Sequence, residues 1–339
     1  MKLIKTEDAV GHVLCHDITQ IIKGVTKDAV FRKGHVIREE DIPVLLSVGK
    51  ENIYIWEKDE NMLHENEAAE ILYQMCRGEH MHPTPVKEGK IELVADMDGF
   101  LKVDDDKMRL INGMGQMMIA SRHGNFPVKK GDKLAGTRII PLIIKKEKME
   151  RAREIVGPEP ILRLLPFLHK KVGIVTTGSE VYHHRIQDQF TPVVLEKLAE
   201  YDTEIIGQIL CDDDHEKITA SILKLIEEGA DMVICTGGMS VDPDDRTPLA
   251  IKNTGANIIS YGAPVLPGAM FLLSYYENRI PVIGLPGCVM YARRTIFDLV
   301  LPRLMADDPI AAEELAALGQ GGLCLNCKQC TFPNCGFGK

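Results

Sequence analysis

Residues 231–248 read DMVICTGGMSVDPDDRTP. An apolar run from Met232 to Cys235 ends in Thr236-Gly237-Gly238, and Ser, Asp and Pro then carry the chain to Thr247-Pro248. A short continuous apolar run of this kind suits a strand buried on both faces, followed by a glycine loop and a helix start. The pattern occurs twice more, in KVGIVTTGSEV (171–181) and IPVIGLPGCVMY (280–291). Between these runs the spacing predicts a helix around 191–201, a strand EIIGQIL (204–210), a helix over 215–228 capped by Asp214, a strand in FLLSYY (271–276) and a helix over 290–305. The 215–228 helix carries Ile218, Ile222, Leu225 and Ile226 on one face. Strands alternating with helices imply a parallel sheet covered on both sides, so residues 165–308 are expected to form a three-layer α/β domain.

In open α/β sheets, ligands bind beyond the carboxyl ends of the strands. Parallel strands would bring the loops 176–181, 235–248 and 284–291 to one such edge. Glycine lets a backbone approach a ligand closely, and N–H groups opening a helix favour an anion. Glu180, Asp242, Asp244 and Asp245 in these loops would repel a phosphate unless a cation lay between, and hard oxygen ligands suit Mg²⁺. For Asp242 and Asp244, turn or helix capping competes evenly with that role.

Upstream, residues 1–150 read as a smaller α+β region, helical over 35–77 and β-rich over 86–145. Residues 1–60 suggest short extended pieces and one helix. A turn at Lys33-Gly34 precedes that helix, which begins near Glu39, faces inward with Ile42, Leu45 and Leu46, and stops at Gly49. A second helix is expected over 65–77. Turn signals follow at Glu88-Gly89, Asp98-Gly99 and Asp104 to Asp106, and a charged helix and turn at 145–160 lead into the second half.

The chain has 339 residues, 40 basic against 49 acidic, for a net charge of −9. That length suits two domains, and the acidic balance argues against a nucleic-acid binder. MKLIKTEDAVGHVL lacks the apolar core of a secretory leader. The longest uncharged stretch, 253–276, is broken by Gly255, Gly262, Pro264, Pro267 and Gly268, which disfavours a membrane span. The cytoplasm is the expected compartment. Of nine cysteines, five are scattered and read as small buried hydrophobes. The other four, Cys324, Cys327, Cys330 and Cys335, close the chain over 309–339 as a linker and Cys-rich tail, with spacing x2, x2 and x4. Clustered thiols in a cytosolic protein point to metal, either Zn²⁺ or an iron–sulfur cluster.

The three loops resemble the molybdopterin-binding domain shared by molybdopterin adenylyltransferases, molybdopterin molybdenumtransferases and gephyrin. The family pattern is Thr-Gly-x-Glu, then Gly-Gly-x-Ser/Gly ending in an acid, then Leu-Pro-Gly. Here these are Thr177-Gly178-Ser179-Glu180, then Thr236-Gly237-Gly238-Met239-Ser240 running to Asp245, then Leu285-Pro286-Gly287. Asp245-Arg246-Thr247-Pro248 looks like the adenylyltransferase branch. Gly237 to Val241, Gly11 to Ile18 and Val128 to Leu142 look like the molybdenumtransferase branch.

The resemblance implies a protein that binds molybdopterin or its adenylylated form in molybdenum-cofactor biosynthesis, as a transferase inserting molybdate and releasing AMP. Thr177, Gly178, Ser179, Gly237, Gly238, Ser240, Pro286 and Gly287 would line the pterin-phosphate site. Glu180 and Asp245 would be catalytic, and Asp242 and Asp245 would hold Mg²⁺. Family members are often homo-oligomers. Three positions depart from the pattern. The family's Lys-Pro-Gly-Lys is Leu266-Pro267-Gly268-Ala269 here, its Asn-Pro after Leu-Pro-Gly is Cys288-Val289, and a glycine after the first loop gives way to Tyr182-His183-His184. Losing two cations weakens an anion site. The alternative is therefore a non-catalytic carrier or sensor of the cofactor serving a recipient molybdoenzyme.

Overall fold

The computed structural model describes residues 2–22, 25–55 and 60–339; of the extended pieces expected over 1–60, residues 56–59 lie outside this description. The chain divides into two compact units. The first comprises residues 1–96, 103–122 and 130–163, and the second 97–102, 123–129 and 164–339.

In the first unit, strands Lys2–Lys5 and Asn52–Ile55 pair antiparallel, and Ile18–Ile22 with Thr26–Phe31 makes a hairpin. Leu14, Ile18, Ile37, Leu45 and Ile53 form a small core there. The helix expected from Glu39 begins as a 3-10 turn, Glu39–Asp41, continues as Ile42–Ser47, and ends before Gly49, whose φ of 77° halts it. Helix Glu65–Cys76 buries Ala68, Ala69, Leu72 and Cys76. A four-stranded antiparallel sheet runs in the order Met81–Pro83, Lys90–Ala95, Lys133–Ile139, Met117–Ser121. The acidic run at 104–106 is a helix start, not the turn its composition suggested. The Asp104 carboxylate accepts the Lys107 N–H at 2.9 Å and caps helix Asp105–Gly113. Acids serve turns and helix N-termini equally, so composition alone could not separate the two.

The second unit is the α/β domain. Its sheet contains β1 (Lys170–Thr177), β2 (Thr203–Cys211), β3 (Met232–Thr236), β4 (Asn257–Tyr261), β5 (Leu272–Tyr276) and β6 (Ile280–Leu285). The strand order is β2-β1-β3-β6-β5-β4. The first four of these are parallel, as the alternation of strands and helices predicts. The strand β5 runs opposite to them and pairs antiparallel with both β6 and β4, so the sheet is mixed. The cause is local. Only Glu277, Asn278 and Arg279 separate β5 from β6, and Glu277 and Asn278 hold φ at 51° and 54°. Two successive positive φ values make a hairpin turn, and a connection that short cannot cross over to a parallel strand.

Helices cover both faces: α1 (Phe190–Leu198), α2 (His215–Glu227), α3 (Thr247–Asn253) and α4 (Ile296–Met305). Side chains alternate along each strand. Val172, Ile174, Met232, Ile234, Ile283 and Leu285 meet α1 and α4 on one face. Val175, Val233, Cys235 and Val282 meet α2 and α3 on the other. Gly173 and Gly207 sit opposite each other on β1 and β2, and Leu225 of α2 fills the space; a methyl on either would lie 2.9 Å from that leucine. On the first face, Lys197 of α1 and Asp298 of α4 form a buried ion pair at 2.6 Å, their side chains 11% and 3% exposed. Asp298 also accepts the Thr295 N–H at 2.7 Å, capping α4, and a hydrogen bond from Arg294 at 2.8 Å. Phe126 and the tail residue Phe337 belong to the same core. No helix among the described residues is long and apolar enough to cross a membrane.

Candidate functional site

Strands β1, β3 and β6 end level with one another. Thr176 lies opposite Thr236, and Thr236 opposite Leu285. All three glycine loops therefore leave from one sheet edge, the arrangement in which α/β sheets receive ligands.

The first loop turns at Gly178, with φ of 130°, into a single helical turn, Ser179–Tyr182. The Ser179 N–H donates to the Asp213 carboxylate at 3.0 Å. Glu180 is exposed, and its carboxylate folds back over Gly178, where a methyl would meet Oε1 at 3.0 Å. The second loop is locked onto the first. Thr177 Oγ1 lies 3.0 Å from Thr247 Oγ1, and the Thr247 hydroxyl donates to the Gly237 carbonyl at 2.8 Å. Gly237 and Gly238 have φ of 85° and 57°. A methyl on Gly237 would collide with the Thr177 carbonyl oxygen and lie 2.9 Å from its hydroxyl; one on Gly238 would lie 2.8 Å from Thr247 Oγ1. Glycine is required here because two loops meet, before any ligand is considered.

Further along that loop, Ser240, Asp242 and Asp244 are exposed. Asp245 accepts the Asp242 N–H at 2.9 Å and returns its own N–H to the Asp242 carbonyl at 2.9 Å, so its carboxylate is turned into the loop. In the third loop Pro286 is buried and Gly287 exposed, with nothing within 4 Å of where a Gly287 methyl would sit. Cys288 is half-buried, and burial pushes its thiol pKa up, which keeps the sulfur protonated.

Several residues that sequence reasoning passed over join the site. Asp212 and Asp213 follow β2 at the same edge, and Asp213 orients the first loop through Ser179. The visible signal was three consecutive acids directly after a strand, of which only Asp214 was used, as the cap it is. Tyr261 on β4 donates its hydroxyl to the Met239 carbonyl at 3.0 Å, with the Ser240 carbonyl at 3.2 Å, pinning the second loop. No local pattern announces that contact. Thr236 Oγ1 and Asp212 Oδ1 are buried without a hydrogen-bond partner.

Beside Thr176 a polar cluster stiffens the edge. Asp188 accepts the Phe190 N–H at 2.8 Å and the Thr191 N–H at 3.1 Å, and Gln208 donates to Asp188 at 3.0 Å and to Thr191 Oγ1 at 2.9 Å. Burial alone would raise the Asp188 pKa. Hydrogen bonds from Thr191, Phe190 and Gln208 together outweigh it and hold the carboxyl below its ordinary value. A depressed carboxylate contributes stability that is complete above its unfolded pKa and lost as pH falls through the folded one. Urea midpoints should therefore drop more for the native chain than for Asp188→Asn between about pH 5 and 2. Parallel pH curves would contradict the cluster's role.

Among the described residues no group of three or more His, Cys, Asp or Glu side chains is arranged to hold a metal ion. Glu180, Asp242 and Asp245 therefore form no such group of three, and the tail thiols do not converge on one ion. The four tail cysteines, Cys324, Cys327, Cys330 and Cys335, do line one common cavity.

Residues 173–306 match the family model described as a probable molybdopterin binding domain, and residues 3–57 match a domain of unknown function. A 77-residue stretch is 34% identical to a CinA-like protein of Mycobacterium tuberculosis, covering 23% of this chain and 18% of that protein. The chain thus aligns with less than a fifth of the length of the curated relatives it matches. Among solved structures it is similar to the molybdopterin biosynthesis enzyme MoaB of Thermus thermophilus, at 22% identity over 42% of this chain and 98% of that one, with a TM-score of 0.34. A molybdenum cofactor biosynthesis protein of Pyrococcus furiosus aligns over 91% of this chain and 65% of its own, at 15% identity and a TM-score of 0.28.

Proposed function

We infer that the second unit binds molybdopterin or its adenylylated form at the edge built by Thr177, Gly178, Ser179, Gly237, Gly238, Ser240, Pro286 and Gly287, in molybdenum-cofactor biosynthesis. The observation that carries this reading is the level ending of β1, β3 and β6, with the first two loops locked through Thr177 and Thr247. The family match over 173–306 supplies the ligand class. The helix-start N–H groups of the turn opening at Gly287 suit a phosphate, while the Ser179 N–H is held by Asp213. Thr236 Oγ1, at the end of β3, is a buried hydroxyl without a protein partner.

The reaction proposed is molybdate insertion with release of AMP. Its chemistry is mostly positioning: the locked loops hold the pterin while molybdate meets the dithiolene. Asp245 acts by holding the second loop closed on itself, and Glu180, exposed beside Gly178, is the acid placed to meet a cation that accompanies the incoming oxyanion.

One observation favours the carrier reading. The segment where the resembling family brings two lysines presents Leu266, 56% exposed, and Ala269. Its backbone holds the tail instead, through Leu266 N–H to the Gly322 carbonyl and Cys324 N–H to the Leu266 carbonyl, both at 2.8 Å. A carrier would hand its cargo to a recipient molybdoenzyme.

The deciding measurement is AMP release from adenylylated molybdopterin, with and without Mg²⁺ and before and after molybdate, with pterin retention followed in the same sample. Molybdate-dependent release, abolished in Asp245→Ala while the fold persists, is the expected result. Release that Asp245→Ala leaves unchanged would overturn the enzymatic assignment. Tight retention without release would establish the carrier, and failure to retain pterin at all would refute both readings.

A further inference from the structure

The Cys-rich tail is tied to the second unit at several points. Leu323 pairs with Leu266 as a short parallel bridge, and the Gly338 N–H donates to the Gly321 carbonyl at 2.9 Å, closing residues 321–338 into a loop. Phe337, 4% exposed, anchors that loop in the core of the second unit. Phe332 packs between Phe126 and Phe337, with ring centroids 6.0 and 6.1 Å away. Arg294 lies 5.0 Å from the Phe332 ring centroid, and Arg293 donates to the Lys328 carbonyl at 2.8 Å.

This framework encloses a cavity of about 210 Å³ lined by Cys324, Cys327, Cys330 and Cys335 together with Arg293 and Arg294. All four sulfurs are free thiols. Cys324 and Cys335 are half-buried against the core, while Cys327 and Cys330 are exposed, so the cavity opens to solvent on one side. Among the described residues that line it there is no carboxylate. Arg293 brings a positive charge to this rim, and Arg294 joins it while paired from behind with Asp298 at 2.8 Å, a setting for a guest that gathers negative charge on sulfur.

The size of the space selects the guest. A single Zn²⁺ draws four sulfurs to about 2.3 Å from one point, which leaves no cavity between them. Here the thiols do not converge on one ion but line, with ten other residues, a common space of about 210 Å³, more than ten times the ~10–15 Å³ needed by one water-sized guest. The first three thiols have the x2, x2 spacing by which ferredoxin-type runs hold one cluster; the fourth thiol of such a run serves a second cluster, whereas Cys335 lines the same space as the other three.

We propose that this cavity binds a [4Fe–4S] cluster, with Cys324, Cys327, Cys330 and Cys335 each ligating one iron and Arg293 and Arg294 offsetting the charge of the thiolate-ligated core. Loading is a ligand exchange. Each cysteine thiol gives its proton to a departing thiolate and forms one Fe–S bond as another breaks, and no electron moves.

The test is anaerobic incubation of the full chain, fully reduced, with a preformed synthetic [4Fe–4S] cluster carrying four simple thiolates. Iron, sulfide and visible absorbance are measured after gel filtration, and a parallel sample receives Zn²⁺ alone. The expected result is four iron and four sulfide retained per chain. Cys327→Ser and Cys330→Ser, at exposed positions where the fold does not depend on the sulfur, should each retain less than half of that iron with unchanged melting curves. Retention of Zn²⁺ by all four thiols with no cluster uptake would overturn the proposal. So would retention of neither metal, or cluster retention undiminished in both serine variants.

Discussion

Gly237→Ala is expected to lower the free energy of unfolding by about 2–4 kcal/mol and to weaken pterin binding at least tenfold. Two costs combine. An alanine at φ of 85° is in a left-handed conformation that disfavours a Cβ by about 1–2 kcal/mol. Its methyl would also collide with the Thr177 carbonyl, and overpacking of a closed contact costs about 1–3 kcal/mol. Relief would require the second loop to lift away from the first, which breaks the Thr177–Thr247–Gly237 hydrogen-bond chain. Gly287→Ala is the matched control. It has ordinary φ and open space at the Cβ position, so its cost should stay within about 0.5 kcal/mol. Urea unfolding of both variants, with pterin retention beside it, checks the contrast. Equal stabilities would mean that the loops are not locked as described.

Asp298→Ala should destabilise the chain by about 3–5 kcal/mol, the range for removing one partner of a buried ion pair. Lys197 would be left 9% exposed, with only the Arg293 carbonyl at 3.3 Å in reach. The helix α4 would also lose the reciprocal half of its capping box, the Asp298 carboxylate on the Thr295 N–H, while the Thr295 hydroxyl still caps Phe297. The pair Lys197→Met with Asp298→Leu should be far milder than Asp298→Ala, because an uncompensated charge is harder to bury than a hydrophobic isostere. A double substitution as damaging as the single would show that the cap, not the charge pair, carries the effect.

The site-bearing strands were legible in the sequence because burial on both faces leaves an uninterrupted apolar run, as in Val172 to Val175 and Met232 to Cys235. The glycine loops were legible because they follow those runs immediately. What distinguished β5 from the other strands was not hydrophobicity but the brevity of Glu277-Asn278-Arg279, a turn without the usual glycine. Asp104 was misread because an acid before a polar stretch looks alike in a turn and at a helix start. Tyr261 and Asp213 could not be found along the chain at all. Each reaches a loop far away in sequence, Tyr261 to Met239 and Asp213 to Ser179, and such contacts exist only once the sheet has formed. The reason for Gly237 also changed: its lack of a side chain serves loop-to-loop packing first.

The core of the second unit includes Phe126, which lies before the first strand of its sheet, and Phe337, which lies beyond its last helix. The stretch 165–308 is therefore not a portable cassette. Transplanted without residues 123–129 and 321–338, it would uncover the sites of two buried aromatic rings, each worth about 1.5–3 kcal/mol of burial. Recombination that shuffles such a domain between genes would have to carry its flanking segments too, or invent new plugs for the same two holes.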